Sequence, residues 1–219
     1  MKKSTTIASL TLALFATLLS GCVTGQRSIA LSAPQAVPAA ADGKGTISIT
    51  SVTDNRVFQN KPSHPSTPSI NGDVATMTPG HKARMIGRQR NGFGKAMGDI
   101  ALSNNDTVEQ QARSLVETAL TTRGWKITTE ASAPNTAAVS IDEFWAWFTP
   151  GAFTVAFEAR VVCTITLAKA GGPPEKITIQ GYGRNQGGAA SNANWKLAYD
   201  RAYADFLEKA KAQLDAMSF

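Results

Sequence analysis

Residues 153–169 read FTVAFEARVVCTITLAK, and apolar side chains occupy every second position along most of this stretch. Charged and hydroxyl side chains, including Glu158 and Arg160, fill the positions between them. A period of two predicts a long strand with one face in the core and the other in water. Cys163 is in phase with the apolar positions, so we expect a buried, unreactive thiol rather than a nucleophile.

The remaining elements are predicted from the same kind of pattern. Five further strands are predicted at 46–52, 98–103, 125–129, 137–148 and 176–182. Apolar residues at helical spacing predict one helix that opens with Asp106 and Glu109 as a capping box and ends at Gly124, and a final helix over 190–217. The order β-β-α-β-β-β-β-α indicates an α+β fold: an antiparallel-dominated sheet of about five to six strands with two helices packed on one face.

The N-terminus has the layout of a bacterial secretory signal. Lys2 and Lys3 precede an uncharged apolar run at 7–19, which is too short to span a membrane permanently. The run ends in Leu-Ser-Gly-Cys at 19–22, which resembles the lipobox of bacterial lipoproteins. We therefore predict a signal peptide at 1–21 and lipid modification of Cys22, which begins the mature chain.

Lipidation at Cys22 predicts a location and a domain plan. Two or more acyl chains anchor a protein stably. Val23 stands where inner-membrane retention usually requires Asp, so the resemblance to lipoproteins implies the outer membrane, with the protein facing the periplasm. Residues 22–45 are rich in Ala, Ser, Gly and Pro, and are predicted to be a flexible tether to a single domain at 46–219.

The composition limits the classes of partner. Loss of Lys2 and Lys3 with the signal lowers the formal net charge from +6 to +4. This mild excess permits contact with an anionic lipid or glycan, but nucleic-acid binding needs clustered charge, and export removes that partner. Use of Cys22 for lipid leaves Cys163 without a disulfide partner, since the chain has two cysteines.

A long excursion over 56–98 separates the first two predicted strands, and its second half is basic and rich in glycine. Glycines let backbone amides approach an anion, and the arginines attract one. In the alternative interpretation the loop is solvated, and its arginines pair with the acids of the domain itself. The candidate binding residues of this segment are Arg84, Arg88, Arg90, Asn91 and Phe93.

Asp54 and Arg56 lie two residues apart at the end of the first strand, so their side chains point to the same side. They either present a polar binding site or form an ion pair that holds the long loop. Both residues are kept as candidates.

Four aromatic residues crowd the predicted strand at 137–148. A period of two places Trp145 and Trp147 on one face and Phe144 and Phe148 on the other. One pair fills the core, and the other needs cover from the long loop, a second subunit or a ligand, because an exposed aromatic patch is unfavourable. Trp145 and Trp147 are therefore candidate contact residues.

The sequence gives little support to catalysis. The two histidines, His64 and His81, lie in the irregular segment and belong to no motif with metal-ligand spacing. Asp142 and Glu143 are adjacent on a strand, so alternation predicts that they point to opposite faces and form no acid/base pair. We expect no enzyme activity, no cofactor and no metal.

Several segments, in this order, are similar to one family. They are Val52-Thr53-Asp54-Asn55-Arg56, Ile86-Gly87 with Arg90-Asn91-Gly92-Phe93-Gly94, Asp99-Ile100, and Arg123-Gly124-Trp125. Together with the lipobox they resemble the YajG-like family of bacterial lipoproteins, whose function is uncharacterised. The resemblance implies a fold and a location rather than an activity.

These observations favour a non-enzymatic binding or assembly module of the cell envelope, with an envelope protein or a second copy as partner. Its predicted contact surface combines the basic loop with the aromatic strand. The alternatives are a carrier of a small apolar or anionic ligand, an envelope hydrolase with a site under the loop, and a structural spacer.

Overall fold

The computed structural model describes residues 25–35, 43–91, 95–130, 132–151, 154–217 and 219. The predicted signal peptide, the lipid acceptor Cys22, residues 36–42 of the predicted tether and Phe93 lie outside the described residues. Within the described part of the chain, no helix has the length and hydropathy needed to cross a membrane.

The described residues form eight strands and three α-helices, which confirms the predicted α+β class. In chain order they are β1 (Arg27–Ile29), β2 (Gly45–Asp54), α1 (Pro79–Arg84), β3 (Met85–Arg90), β4 (Ala96–Leu102), α2 (Val108–Thr122), β5 (Trp125–Thr128), β6 (Asn135–Pro150), β7 (Val155–Lys169), β8 (Glu175–Gly187) and α3 (Asn192–Ala216). A short 3-10 helix, Val74–Thr76, precedes α1.

The sheet is mixed, and β6 is its central strand. β6 pairs antiparallel with β7, which pairs antiparallel with β8. Along its other edge, β6 pairs in parallel with β2 through residues 136–141 and with β3 at Ala146. β5 lies beyond β2, while β4 and then β1 lie beyond β3.

The predicted sheet of five to six antiparallel-dominated strands with two helices is therefore partly wrong. The β6–β7–β8 meander and the long helices α2 and α3 agree with it. The parallel pairs of β2, β3 and β1 do not, and α1 is a third helix. The strands β1 and β3 are short, and their stability comes from pairing and burial rather than from their own sequence pattern.

The first long helix begins with a capping box, but the predicted residues Asp106 and Glu109 are wrong by one position, because Thr107 is the N-cap. The Thr107 hydroxyl accepts the Gln110 N–H, and the Gln110 side chain accepts the Thr107 N–H. Asp106 and Glu109, the predicted pair, have the same spacing one residue earlier. Gly124 follows the helix with a φ of 90°, as expected of a C-terminal glycine.

Part of the predicted tether belongs to the fold. Residues 27–29 pair in parallel with β4, and Ile29, Leu31 and Ala33 are buried in the core. Arg27 Nη1 donates to Asn192 Oδ1 at 3.2 Å and so joins this segment to the start of α3. The tether predicted over 22–45 is corrected for residues 25–35, where a period of two is hidden among small and polar residues.

The segment predicted as a loop at 56–98 also contains regular structure, namely α1, β3 and the start of β4. β3 shows no alternation because its first four residues are buried on both faces. Phe58 and Ile70 from the irregular part are buried against the sheet. The irregular part of the segment, which includes Phe58 and Ile70, therefore covers the sheet face opposite the main core.

The helix α3 crosses β8 closely because two alternate residues of the strand are glycines. A Cβ on Gly181 would lie 2.2 Å from the Ala202 carbonyl oxygen, and one on Gly183 would lie 2.0 Å from that of Ala198. No side chain fits at either position, so these glycines set the distance between helix and sheet.

Candidate functional site

Arg56 lies at the centre of a buried polar cluster, with a side chain that is 0% exposed. Its Nε donates to Asp54 Oδ1 at 2.8 Å and its Nη2 to Asp54 Oδ2 at 2.9 Å. Nη1 donates to the carbonyls of Met85 and Phe144, and Nη2 also donates to that of Lys82 at 2.6 Å. All the N–H donors of the guanidinium are therefore used within the chain.

This geometry corresponds to the ion-pair alternative for Asp54 and Arg56. The two nitrogen–oxygen contacts are bidentate, the strongest arrangement for this pair. Lys82 adds a hydrogen bond from Nζ to the Asp54 carbonyl at 2.9 Å. The polar-binding-site alternative for Asp54 and Arg56 is therefore wrong. Arg56 joins β2, α1, β3 and β6 and has no N–H donor left for a ligand.

The predicted division of the aromatic residues between two faces is confirmed. Phe144 and Phe148 lie in the main core, where Phe144 stacks on Tyr199 with ring centroids 5.2 Å apart. Trp145 and Trp147 lie in a separate apolar cluster on the opposite face.

The cover over Trp145 and Trp147 comes from the chain itself. Phe58 meets Trp145 edge to face at 5.7 Å, and Trp145 Nε1 donates to the Pro65 carbonyl at 3.2 Å. The Arg160 guanidinium lies over the Trp147 ring at 5.3 Å. Because both indoles are buried, the predicted aromatic contact surface is corrected: these residues hold the covering segment rather than a partner.

Two of the candidate arginines are also used internally. Arg84 Nη2 donates to the Leu102 carbonyl at 2.7 Å. Arg88 is 8% exposed, forms an ion pair with Asp99 at 3.3 Å and donates to the Ile70 carbonyl. Burial lowers the pKa of the Arg88 guanidinium, and the Asp99 carboxylate opposes this shift. Pairing with an acid of the domain, the alternative interpretation of the basic loop, therefore holds for Arg88.

The remaining candidates lie at the turn between β3 and β4. The Asn91 N–H donates to the Lys95 carbonyl at 2.8 Å, and the Lys95 N–H donates to Asn91 Oδ1 at 2.9 Å. Asn91 thus closes the hairpin. Arg90 is partly buried at the end of β3, and Phe93 lies outside the described residues.

An open cleft of about 590 Å³ lies beside this hairpin. Asp99 lies in the cleft wall, where its Oδ2 accepts the Asn71 N–H at 2.7 Å and its charge is paired with Arg88. His81 and Lys95 place nitrogen donors on the lining, which suits an anionic group. The lining residues that matter here are Gly25, Gln26, Asn71, His81, Lys95 and Asp99.

A second open surface was missed in the sequence, although its signal is the alternation of Ser and Thr along three strands. We call it the hydroxyl face, and it consists of Ser51, Thr53, Ser140, Asp142, Thr164 and Thr166 around a groove of about 360 Å³. Asp142 organises it, because its oxygens accept from Ser140 Oγ at 2.7 Å and Thr164 Oγ1 at 2.6 Å. The Ser140 and Thr164 hydroxyls are therefore held in place before any partner binds.

Asp142 and Glu143 lie on the same face, contrary to the prediction from alternation. The β6–β7 register shifts between Ile141 and Glu143, which marks a β-bulge, and both carboxylates line the same shallow depression. Glu143 pairs with Arg160 at 3.0 Å, while Asp142 is held by hydroxyls. Each carboxylate is thus engaged by its own neighbour.

Cys163 is buried, as predicted, and burial raises the pKa of its thiol to about 12. The thiolate needed for nucleophilic chemistry is therefore disfavoured at neutral pH. Among the described residues, no group of three or more His, Cys, Asp or Glu side chains is arranged to hold a metal ion.

No family model and no curated protein matches the chain. Solved structures with a distant similarity include the following two. A protein from Xanthomonas campestris, of family-model DUF330, has a TM-score of 0.45 and 9% sequence identity, covering 86% of this chain and 92% of its own. A second, described as an uncharacterized protein, has a TM-score of 0.38 and 10% identity, covering 89% of this chain and 99% of its own. Both scores are below 0.5, so neither similarity supports a statement about function.

Proposed function

We propose that the chain is an envelope lipoprotein, held to the outer membrane by acylated Cys22, that faces the periplasm and acts as a non-enzymatic binding or assembly module. The lipobox at 19–22 supports the anchor, and Val23 supports the outer membrane. The resemblance of 52–56 and 86–94 to the YajG-like family supports the same location.

The observation that carries the binding role is the hydroxyl face. It is open, and Asp142 already orients two of its hydroxyls, those of Ser140 and Thr164. Side chains held in place lose little conformational entropy when a partner binds, so such a surface suits a polar partner. Val57, which is 70% exposed beside it, adds an apolar contact. The partner we infer is an envelope protein or a second copy of this chain.

The apolar-carrier and hydrolase alternatives lose their predicted sites. The space beside Trp145 and Trp147 is filled by the covering segment, so an apolar ligand has no room there. Asp142 and Glu143 are engaged by hydroxyls and by Arg160 respectively, which favours a structural use of both carboxylates. An anionic ligand retains a site in the cleft beside Lys95.

The anchor and the binding role are tested separately. Cys22→Ala should abolish incorporation of a labelled fatty acid and release the chain from the membrane fraction, whereas acylation of the variant would overturn the anchor.

For binding, a photocrosslinking amino acid replaces Thr53 on the hydroxyl face, or Glu208 on the outer side of α3 as a control. Both positions are exposed. We expect a discrete adduct with an envelope protein, or with a second copy, from position 53 alone. Identical adducts from both positions, or none from position 53, would contradict the proposal.

A further inference from the structure

Three turns of the chain meet at one end of the sheet. β3 runs parallel to β6, with Gly87 beside Ala146, so the β3–β4 turn lies level with the β6–β7 turn. β8 finishes beside the β6–β7 turn, because Gly187 pairs with Val155. We call this region the hairpin end, and it is marked by Gly25, Asn91, Lys95, Gly151 and Gly187.

The described chain enters the fold at the hairpin end. The Gly25 N–H donates to the Met97 carbonyl at 3.2 Å. Gly25 also packs so closely on β4 that a Cβ on Gly98 would lie 2.0 Å from the Gly25 carbonyl oxygen. Gly25 is therefore fixed to the sheet, two residues before β1.

This position limits where the lipid can be. Cys22 precedes Gly25 by three residues. Three fully extended residues span at most about 10 Å. The headgroup layer on one side of a bilayer is roughly 5–8 Å deep. Insertion of acyl chains on Cys22 therefore brings the hairpin end to the lipid headgroups.

The charge at this end is suited to that surface. The turns at 91–95, 150–154 and 187–191 contain Lys95 and no Asp or Glu. Lys95 is exposed at the hairpin end and lines the cleft beside Gly25 together with His81. The one carboxylate of the cleft lining, Asp99, is already paired with Arg88. A phosphate thus meets nitrogen donors and no unpaired acid among the lining residues of this cleft.

We propose that the hairpin end rests on the membrane that holds Cys22, and that the cleft beside Gly25 takes the phosphate of a phospholipid headgroup between Lys95 and His81. This proposal rests on the proposed acylation of Cys22. In this arrangement the domain has a fixed orientation on the membrane, and it does not move freely on the flexible tether that the sequence predicts.

The orientation is tested with two labelled variants of the full acylated chain in vesicles of phosphatidylethanolamine and phosphatidylglycerol. Gln186→Cys and Lys176→Cys lie on the same face of β8 and are both exposed. They are ten residues apart, which is on the order of 33 Å along a strand. Acylation blocks Cys22, and Cys163 is buried, so a fluorophore reacts at the introduced thiol.

Headgroup spin-labelled lipid should quench the label at 186 strongly and the label at 176 weakly. Equal quenching would mean that the domain tumbles about its anchor, and stronger quenching at 176 would mean the reverse orientation; either result overturns the proposal. The Cys22→Ala acylation assay reports independently on the anchor. A failure of the proposed orientation is therefore distinguishable from a failure of the proposed acylation.

The phosphate contact is tested with Lys95→Gln in the Gln186→Cys chain. A single basic residue near an anionic surface changes partition by about fivefold, so the ratio of quenched to unquenched label at 186 should fall by about that factor in vesicles with phosphatidylglycerol. Lys176→Gln is the matched control and should change nothing. An unchanged ratio for Lys95→Gln would overturn the assignment of the cleft to a headgroup phosphate.

Discussion

Replacing Arg56 by methionine keeps most of the length of a buried side chain and removes all of its polar contacts. In the native fold the guanidinium reaches both oxygens of Asp54 and the carbonyls of Lys82, Met85 and Phe144. The variant leaves the Asp54 carboxylate, which is 7% exposed, with the more distant Lys82 ammonium at 3.9 Å. Asp54 then becomes a buried charge that is poorly compensated.

The expected loss follows from this arrangement. Removing one partner of a buried ion pair costs about 3–5 kcal/mol, out of a total of about 5–15 kcal/mol for a domain. With a urea m-value of about 2 kcal/mol/M, the unfolding midpoint should fall by about 2 M. The m-value should not change, because the surface exposed on unfolding stays the same.

The assay is urea unfolding of the mature chain with Cys22→Ser, followed by circular dichroism and tryptophan emission. Tryptophan emission reports loss of packing around the four tryptophans, of which Trp145 lies beneath the covering segment. Arg56→Lys should give an intermediate loss, since an ammonium cannot reach all five acceptors. Lys196→Met, which breaks a half-exposed pair with Asp200 at 2.8 Å, is the control and should cost at most about 0.5 kcal/mol. A midpoint for Arg56→Met as high as that of Lys196→Met would refute the role of the buried cluster.

Three further predictions concern packing, ionisation and capping. Gly183→Ala should destabilise the domain by about 1–3 kcal/mol or more, because its Cβ would lie 2.0 Å from the Ala198 carbonyl oxygen. Gly188→Ala, whose Cβ would have no atom within 4 Å, should be neutral. Thermal melts of the two variants that coincide would contradict this prediction. Burial raises the pKa of Tyr199 and Tyr203 well above 10.0 and that of Cys163 to about 12, so the folded state holds these protons more tightly. This stability is present below pH 9 and is lost as the pH rises toward 12, so the urea midpoint should fall between pH 9 and 11. Tyr199→Phe should reduce the slope of the urea midpoint against pH. A urea midpoint that does not change with pH would count against the burial of these groups. Thr107→Ala should cost about 1 kcal/mol through loss of the N-cap of α2, and Thr122→Ala, at the other end of the helix, serves for comparison.

The parts of the fold that could be predicted are those in which one residue pattern determines one element. β7 alternates over most of its length because one face packs in the main core and much of the other is partly exposed, with Ala156 and Val162 as buried exceptions. The capping residues of α2 act within a single turn. β1 was not predicted because it exists through pairing with β4, which is distant in sequence, and β3 was not predicted because it is buried on both faces and shows no alternation. Ile29 lies beside Leu102, and Gly87 beside Ala146.

The candidate site was predictable to a smaller extent. The face assignment of Trp145 and Trp147 follows from alternation, but which face is covered depends on where the segment around Phe58 folds back. The charge of Arg88 is visible in the sequence, whereas its partner Asp99 is set by the β3–β4 pairing. The bulge after Ile141 places Asp142 and Glu143 on one face, and no local sequence pattern predicts this bulge.

The central place of β6 has a consequence for the order of folding. β2 pairs with β6 across about ninety residues, as between Ile49 and Ala137, and β3 meets β6 at Ala146. By contrast, β6, β7, β8 and α3 follow one another directly and share short connections. Contacts between distant residues form late, because loop closure costs entropy before any contact is gained. We therefore expect β6, β7, β8 and α3 to form the folding nucleus. The N-terminal half of the chain should fold only after β6 has formed, because β2 and β3 pair with it.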